Sequence, residues 1–351
     1  MCATPEEHPP GNPPSLGTPT SRPGRPLPLR LLRSLARIAS LLGLALVAGC
    51  FLIAQPTMRA NRPSSVTADA NRLRGHVLAL SETFHPRDWE HPANLDRCAE
   101  YIAGHLRRAG AAVEFQEFSA AGRTYRNVIG RFGVGKPGKF IVGAHYDAYA
   151  GTPGADDNAS GVAGLLELAP LIQKHPPDAE VELVAYTLEE PPFFAGPQMG
   201  SAVHAASVAP DKARVKGVIV LEMIGYFNDA PGSQTYPLSI LKAWYPDRGD
   251  FITVVGRWDQ GPWIKDLKAA MKGATALPVY SFRGPGALPG VDFSDHRNYW
   301  PHGIRAAMVT NTAFYRNTAY HTAADTAGRL DYDRMGLVVV AVYEALRELA
   351  R

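Results

Sequence analysis

The sequence predicts an α/β protein: one domain with a mixed, mostly parallel central β-sheet flanked by helices, after an N-terminal transmembrane helix. Three observations lead to this prediction. Residues 38–54 form an apolar run without charge that is just long enough to span a bilayer. From residue 65 onward, segments with helical periodicity alternate with short apolar segments, as in sheets covered by helices. With 46% hydrophobic and 20% charged residues among 351, the chain has ample material for a globular core.

The part of the chain before the domain divides into three segments. Residues 1–29 are crowded with Pro, Gly, Ser and Thr, which predicts a disordered cytoplasmic tail. Residues 30–56 are predicted to be a transmembrane signal anchor, because arginines precede the apolar run and none lies within it. Residues 57–64 are predicted to be a linker, and residues 65–351 the globular domain. This orientation places the domain on the periplasmic or extracellular side of the membrane.

Two other interpretations of the apolar run remain open. The sequence Leu46–Cys50 resembles a bacterial lipoprotein cleavage box with Cys50 as the lipidated residue, although the apolar run continues beyond it. A cleaved secretory signal is the other interpretation, although a long tail before such a signal is unusual. All three interpretations export the domain.

The net charge of +3 is divided unevenly along the chain. The first 62 residues hold seven arginines against two glutamates, hence +5, and the remainder holds 29 basic and 31 acidic residues, hence −2. The sequence therefore offers no electrostatic case for nucleic-acid binding. Of the three cysteines, only Cys98 lies in the domain, which excludes a disulfide framework there.

The predicted elements of the domain follow from periodicity and from the residues that bound them. Gly110 ends the second helix, and Pro262 begins a later one. The run Phe140–Ala144 is typical of a strand that is buried on both faces. The predicted helices are 68–81, 94–109, 160–173, 262–271 and 331–349, and the predicted strands are 113–118, 127–132, 139–145, 181–187, 215–222, 251–255 and 306–310.

Histidine, aspartate and glutamate residues follow these strands at or near their carboxyl ends. Open α/β sheets place their functional sites at this edge. Each pair or loop taken alone has an ordinary explanation, such as helix capping or a solvated turn. The residues concerned are His145, Asp147, Asp156, Asp157, Glu189, Glu190, Glu222, His321 and Asp325.

Taken together, these side chains predict a metal site. Several carboxylates with two imidazoles at one sheet edge would repel one another unless cations lay between them. Mixed His, Asp and Glu ligands suit zinc or a similar divalent ion. The absence of Cys ligands argues against a closed structural zinc site.

The same residues resemble metallopeptidase family twenty-eight, the co-catalytic zinc aminopeptidases and their relatives, over residues 68–349. The resemblance depends on five short patterns that occur in the order found in the family. They are His145-x-Asp147, the Gly154-x-x-Asp157-Asn158-x-Ser160-Gly161 loop, Glu189-Glu190, Glu222 and Tyr320-His321.

The resemblance implies two Zn²⁺ ions per chain. His145, Asp157 and Glu222 would hold the first ion. Asp157, Glu190 and His321 would hold the second, so that Asp157 bridges both. Glu222 stands where the aminopeptidases commonly have Asp, so the geometry of the first site is expected to differ from theirs.

The resemblance also assigns roles to residues that do not hold the ions. Glu189 would be the general base and Tyr320 a donor to the oxyanion. Asp147 would orient the first histidine ligand. Asp295 and His296 match a further family segment and are expected to support the ligands from behind.

The predicted activity is metal-dependent release of N-terminal amino acids from peptides, with the membrane as a further partner through the N-terminal helix. The oligomeric state stays open. The alternatives are a glutaminyl cyclase with one zinc, a carboxypeptidase or dipeptidase, and an inert relative. A carboxypeptidase would need a cation for the substrate carboxylate, for which Arg297 and Arg316 are candidates.

Substrate specificity is expected to depend on aromatic residues and on one loop. The loop Pro191–Met199 is longer and richer in proline than the usual Gly-rich continuation, and we expect it to shape the substrate pocket. Six aromatic residues close in sequence to the proposed ligands predict either an apolar pocket or core packing. They are Phe193, Phe194, Tyr226, Phe227, Tyr299 and Trp300.

Overall fold

The structure, a computed structural model, describes Met1, Gly11 and residues 29–351. The predicted tail, residues 1–29, therefore lies almost entirely outside the described residues. The chain forms two compact units, one up to Val47 and one from Ala48 to the C-terminus. The first helix, α1 (Leu29–Ile53), has 25 residues, none of them buried, and is long and apolar enough to cross a membrane. A helix of this kind near the N-terminus fits either a membrane span or a signal sequence.

The second unit is built on one eight-stranded sheet with strand order β1-β2-β4-β3-β5-β8-β6-β7. Strands β4, β3, β5 and β8 form a parallel centre, and β6 pairs with β7 in parallel as well. The β1–β2, β2–β4 and β6–β8 pairs are antiparallel. The predicted mixed, mostly parallel sheet is confirmed. The strands are β1 (Ala112–Ala120), β2 (Arg123–Phe132), β3 (Lys139–His145), β4 (Glu180–Tyr186), β5 (Val215–Glu222), β6 (Ile252–Arg257), β7 (Val279–Gly284) and β8 (Ala306–Thr310).

Six further helices flank the sheet. Aspartates at the helix starts satisfy otherwise unpaired amides: Asp69 accepts from two amides at the start of α2, and Asp331 accepts from one at the start of α7. The sequence did not predict α5 or β7, because neither segment carries a long stripe of large apolar residues. The helices are α2 (Ala70–Leu78), α3 (Pro92–Arg108), α4 (Gly161–Lys174), α5 (Gly200–Val208), α6 (Gly261–Met271) and α7 (Tyr332–Leu349).

The two faces of the sheet bury separate hydrophobic clusters. Along β3, Phe140 and Val142 point to one cluster and Ile141 to the other, as the two-residue repeat of a strand requires. Residues of α2, α3, α4, α6 and α7 fill the larger cluster. The smaller cluster contains residues of α5 and of the turn 295–302. The central strands are therefore buried on both faces, as their unbroken apolar runs predict.

The smaller cluster also holds a buried polar network around Glu182 of β4. Its carboxylate lies 2.7 Å from Arg131 Nε, 3.3 Å from Lys139 Nζ and 3.0 Å from His204 Nε2. The other ring nitrogen of His204 lies 2.7 Å from the Tyr299 hydroxyl. Burial would raise the pKa of Glu182, but hydrogen bonding to His204 and the charges of Lys139 and Arg131 lower it below the usual 4.5.

The predicted linker, residues 57–64, belongs to the second unit and forms backbone hydrogen bonds within it. The amide of Asn61 donates to the Lys272 carbonyl at 2.7 Å, and the amide of Ser64 donates to the Ala274 carbonyl at 2.8 Å. Backbone hydrogen bonds to the end of α6 hold the segment in place.

Candidate active site

The candidate site lies at the carboxyl edge of the parallel centre of the sheet. His145 is the last residue of β3, and Glu222 is the last residue of β5. Glu189 and Glu190 follow β4 within four residues, and His321 lies in the segment after β8. Because parallel strands end at one edge, residues far apart in sequence meet there.

The loop between β3 and α4 positions Asp157. The Asn158 side chain donates to the Leu221 carbonyl at 2.8 Å and accepts from the amides of Gly161 and Met223. The Asp325 carboxylate accepts from the amides of Asp156 and Asp157, each at 3.0 Å. These contacts tie the loop to β5 and to the segment after β8, so the Asp157 carboxylate is held between them.

The first group of potential ligands is His145, Asp157 and Glu222. His145 Nε2 lies 3.3 Å from Asp157 Oδ1 and 3.4 Å from Glu222 Oε2. All three side chains are buried. Ser294 donates its hydroxyl to Glu222 Oε2 at 2.7 Å, which holds the glutamate side chain in place.

The second group is Asp157, Glu190 and His321. His321 Nε2 lies 3.1 Å from Asp157 Oδ2 and 3.3 Å from Glu190 Oε2. Its ring is stacked between Tyr149 and Tyr320, with centroid distances of 4.1 and 3.8 Å. In each group, one donor atom per residue lies within 4.8 Å of the others, and His145, Glu189 and Glu190 meet the same criterion. The two oxygens of Asp157 thus face two different histidines.

Asp147 organises the strand end that carries the two adjacent glutamates. Its carboxylate oxygens accept from the amides of Glu189 and Glu190 at 3.2 and 3.1 Å. Its backbone carbonyl accepts from His145 Nδ1 at 3.2 Å, and the carboxylate lies 3.5 Å from the same nitrogen. Asp147 therefore contacts the first histidine, and it also holds the backbone of the two glutamates.

The backbone near the site adopts a conformation that non-glycine residues rarely take. Leu188, Met223 and His321 have positive φ angles of 58°, 51° and 57°. Leu188 directly precedes Glu189, and Met223 directly follows Glu222. Left-handed residues of this kind concentrate at functional sites, where the surrounding structure holds them in place.

The electrostatics of the site favour bound cations. Burial, with the charge of Asp157, raises the pKa of Glu190 to about 7. Burial also raises the pKa of Glu189 well above its usual range. Burial acts on Asp157 in the same direction, but hydrogen bonds to His145 and His321 lower its pKa below the usual range. A divalent ion would relieve the repulsion among these carboxylates.

The remaining predicted residues lie around this cluster. Tyr320 lines the cavity in front of it, and burial raises the pKa of its phenol, so the hydroxyl keeps its proton. Both carboxylate oxygens of Asp295 are buried and make no hydrogen bond to a described residue. Burial raises the pKa of Asp295 to about 7. His296 donates from Nε2 to the Val291 carbonyl and is fully buried, which places it in the supporting packing.

A cavity of about 360 Å³ opens beside the cluster, and most of its lining is apolar. Of the six aromatic residues singled out from the sequence, only Phe194 lines it; the other five pack elsewhere, and all but Tyr226 are buried. Closeness in sequence to the proposed ligands did not predict the lining, because most of the aromatic residues of the cavity walls come from segments far from those ligands in the chain. These aromatic residues are Tyr236, Tyr245, Phe251, Phe282, Phe293, Phe314 and Tyr315.

Sequence reasoning also missed contacts that only the fold creates. Tyr149 stacks on His321 although 172 positions separate them in the chain. Asp325 was part of the predicted strand-end set, but the sequence assigned no bracing role to it. The Asn158 contacts had one visible signal, which was the Asp-Asp-Asn sequence before a helix.

Comparison with known proteins identifies the family. The model of peptidase family M28 matches residues 127–346. The chain belongs to peptidase family M28. A protein from Escherichia coli K12 described as uncharacterized protein YfbL is 48% identical over 300 residues, which cover 83% of this chain and 92% of that protein. Leupeptin-inactivating enzyme 1 of Streptomyces exfoliatus is 28% identical over 57% of this chain and 47% of its own length.

Solved structures show the same fold for this M28 chain. A zinc aminopeptidase from Bacillus subtilis superposes with a TM-score of 0.65 at 16% identity, over 81% of this chain and 96% of its own. A Bacteroides thetaiotaomicron glutaminyl cyclase superposes with a TM-score of 0.62 at 20% identity, over 81% of this chain and 99% of its own. A Zn-dependent exopeptidase from Parabacteroides distasonis superposes with a TM-score of 0.61 at 19% identity, over 81% of this chain and 99% of its own. The predicted family and fold are both confirmed.

Proposed function

We propose that the chain is a zinc-dependent aminopeptidase with two metal ions. One observation carries this proposal: the two oxygens of Asp157 face His145 on one side and His321 on the other. A carboxylate shared in this way divides five side chains into two ligand sets of three. The sharing supports two ions rather than one.

The donor set fits a pair of zinc ions. Each set combines one imidazole with two carboxylates and contains no thiolate, as in catalytic rather than structural zinc sites. Glu190 Oε1 is buried and makes no hydrogen bond to a described residue, so it is free to bind a cation. Two such ions would supply a water of lowered pKa and polarise the scissile carbonyl.

Glu189 is the proposed general base. Its carboxylate is buried and lines the cavity, and its Oε2 lies 4.0 Å from His145 Nε2. Glu189 accepts the proton of the attacking water and returns it to the leaving amine. The protonated phenol of Tyr320 donates a hydrogen bond to the carbonyl oxygen as negative charge develops there.

The described lining of the cavity offers no partner for a substrate carboxylate. Asp157, Glu189, Glu190 and Glu222 all line the cavity, and no lysine or arginine occurs among its described lining residues. Two bound divalent ions would offset the charge of these four carboxylates, and the described lining would then still offer no cationic side chain to pair with a C-terminal carboxylate. The lack of such a partner favours release of N-terminal over C-terminal residues.

The two arginines considered for a carboxypeptidase are otherwise engaged. Arg297 lies 3.3 Å from Asp292 Oδ2, with its guanidinium over the Phe194 ring. Arg316 is buried and donates to Gln234 Oε1 and to the Phe251 carbonyl, each at 2.8 Å. Neither side chain lines the cavity. The apolar walls of the cavity instead favour a bulky apolar side chain on the residue that is released.

The test compares peptides with free and acetylated N-termini and measures bound zinc in the same samples. We expect hydrolysis of the free peptide alone, faster for N-terminal leucine or phenylalanine than for aspartate, with two zinc ions per chain. Cyclisation of N-terminal glutamine without hydrolysis, with one zinc per chain, would support the glutaminyl cyclase instead. Cleavage of both peptides from the C-terminus would refute the proposal in favour of a carboxypeptidase.

We also propose that α1 anchors the enzyme in a membrane with its catalytic unit outside. The helix is long and apolar enough, and its basic residues precede the apolar part. Changing Cys50 to Ser should leave the protein in the membrane fraction. Release into the soluble fraction would show that Cys50 carries a lipid and that the lipoprotein interpretation is correct.

A further inference from the structure

Residues at and just after the end of α1, which belong to the second unit, form hydrogen bonds with α6 and β7. Lys268 of α6 donates to the Ala54 carbonyl at 3.0 Å, and Ser281 of β7 donates to the same oxygen at 2.9 Å. Arg283 donates to the Leu52 carbonyl, and the Gln55 side chain donates to the Gly261 carbonyl. These contacts lie at the β6–β7 edge of the sheet.

Two tryptophans lie at these contacts. A Cβ added to Gly49 would lie 2.8 Å from the Trp244 ring, so the glycine allows that ring to pack directly on the helix. The Arg283 guanidinium, which binds the helix end, also lies over the Trp258 ring at 5.6 Å. Tryptophan is enriched where proteins meet the headgroup region of a bilayer.

Three exposed apolar side chains lie in the segments that carry Trp244 and Trp258. After the end of α1, the described chain exposes six large apolar side chains: Met58, Val134, Leu238, Ile240, Trp258 and Phe293. Leu238 and Ile240 lie just before Trp244, and about half of each side chain is exposed. Lys242, between them and Trp244, is exposed as well. Four of these residues, Leu238, Ile240, Lys242 and Trp258, form what we call the membrane face.

We propose that the membrane face lies in the headgroup region of the phospholipid bilayer that α1 enters. The proposal depends on the anchoring role of α1 proposed above. A transmembrane helix ends at the membrane interface, and hydrogen bonds place the β6–β7 edge against that end. Leu238, Ile240 and Trp258 can then bury their apolar surface at the boundary, while Lys242 reaches the phosphates.

The membrane face and the substrate cavity share one loop. Tyr236, Pro237, Leu241 and Tyr245 line the cavity, and Leu238, Ile240 and Lys242 of the same loop belong to the membrane face. Lipid contact would thus hold one wall of the cavity at the bilayer surface.

Tryptophan fluorescence tests this proposal, because all five tryptophans lie in the catalytic unit and α1 contains none. The full chain is reconstituted into nanodiscs of phosphatidylcholine with ordinary or brominated acyl chains. We expect brominated lipid to quench part of the emission. Trp258→Phe should reduce that quenching, and Trp244, which packs on Gly49, accounts for the part that remains.

Trp89→Phe is the matched control. The Trp89 carbonyl accepts a hydrogen bond from the Tyr125 hydroxyl of β2, near the opposite edge of the sheet. Its replacement should therefore leave the quenching unchanged. The double variant Leu238→Ser with Ile240→Ser keeps every tryptophan and should also reduce the quenching. A reduction in this variant shows that the loss in Trp258→Phe is not only loss of a fluorophore.

The outcomes separate the proposals from one another. Protein that co-elutes with the nanodiscs but shows no extra quenching in brominated lipid refutes the membrane face and leaves the anchor in place. Protein that does not co-elute refutes the anchor and the membrane face together. Peptide hydrolysis in the same samples reports on the proposed enzymatic function independently of either result.

Discussion

Glu189 and Glu190 are adjacent and both acidic, yet the site geometry predicts opposite consequences for their replacement by glutamine. Glu190 Oε2 lies 3.3 Å from His321 Nε2 and shares a ligand group with Asp157. Glu189 is further from its nearest histidine nitrogen, at 4.0 Å, and faces the cavity. Both backbone amides are held by the Asp147 carboxylate, so neither substitution should displace the strand end.

Glu189→Gln keeps the size of the side chain and removes only its ability to accept a proton. Bound zinc and KM should therefore change little. The value of kcat should fall by about two to four powers of ten, the usual contribution of a positioned general base. This loss corresponds to about 3–5 kcal/mol of transition-state free energy. Glu190→Gln removes a negative ligand, so zinc affinity should fall first and excess zinc should restore part of the activity.

The measurements are zinc per chain after dialysis, and kcat and KM for one unblocked peptide at several zinc concentrations. Loss of zinc in Glu189→Gln, with retained zinc and lost turnover in Glu190→Gln, would reverse the assignment. Full activity in both variants would refute the proposed site.

Three other predictions concern metal binding, specificity and pH. Asp157→Asn should reduce the binding of both ions together, whereas His145→Ala should spare the second; equal effects of the two variants on zinc content would contradict the sharing. Val255→Phe fills part of the cavity, so kcat/KM should shift from N-terminal phenylalanine toward N-terminal alanine, and an unchanged ratio would exclude the cavity as the side-chain site. Glu182→Gln should lower the free energy of unfolding at pH 7 by about 3–5 kcal/mol. The pKa of Glu182 is lower in the folded state than the usual 4.5 of the unfolded chain. The stabilisation of the fold by the Glu182 carboxylate is therefore complete above pH 4.5 and declines as the pH falls below that value. The difference in the free energy of unfolding between Glu182→Gln and the unsubstituted protein, measured with urea, should therefore become smaller in acid. A difference that does not change with pH would contradict this account.

Local sequence patterns were sufficient for the elements that have strong periodicity or strong boundaries. The run Phe140–Ala144 predicted β3 because a strand buried on both faces needs apolar residues on both. The order of the candidate ligands placed each residue at the carboxyl end of a strand or in the segment that follows it. They are His145, Asp157, Glu189–Glu190, Glu222 and His321. The parallel strands then bring these ends to one edge. The candidate site could thus be located without coordinates.

The sequence alone therefore determined the family, the α/β fold and the set of candidate ligands, because these depend on short-range spacing and on the parallel topology. The tertiary structure decided which atoms meet. It paired the two oxygens of Asp157 with different histidines, and it built the cavity walls from segments such as Tyr236, Phe282 and Phe314. It also joined Ala54, which follows α1, to Lys268 of α6 and Ser281 of β7. These contacts join residues tens to hundreds of positions apart, and such pairings depend on how layers pack rather than on any local pattern.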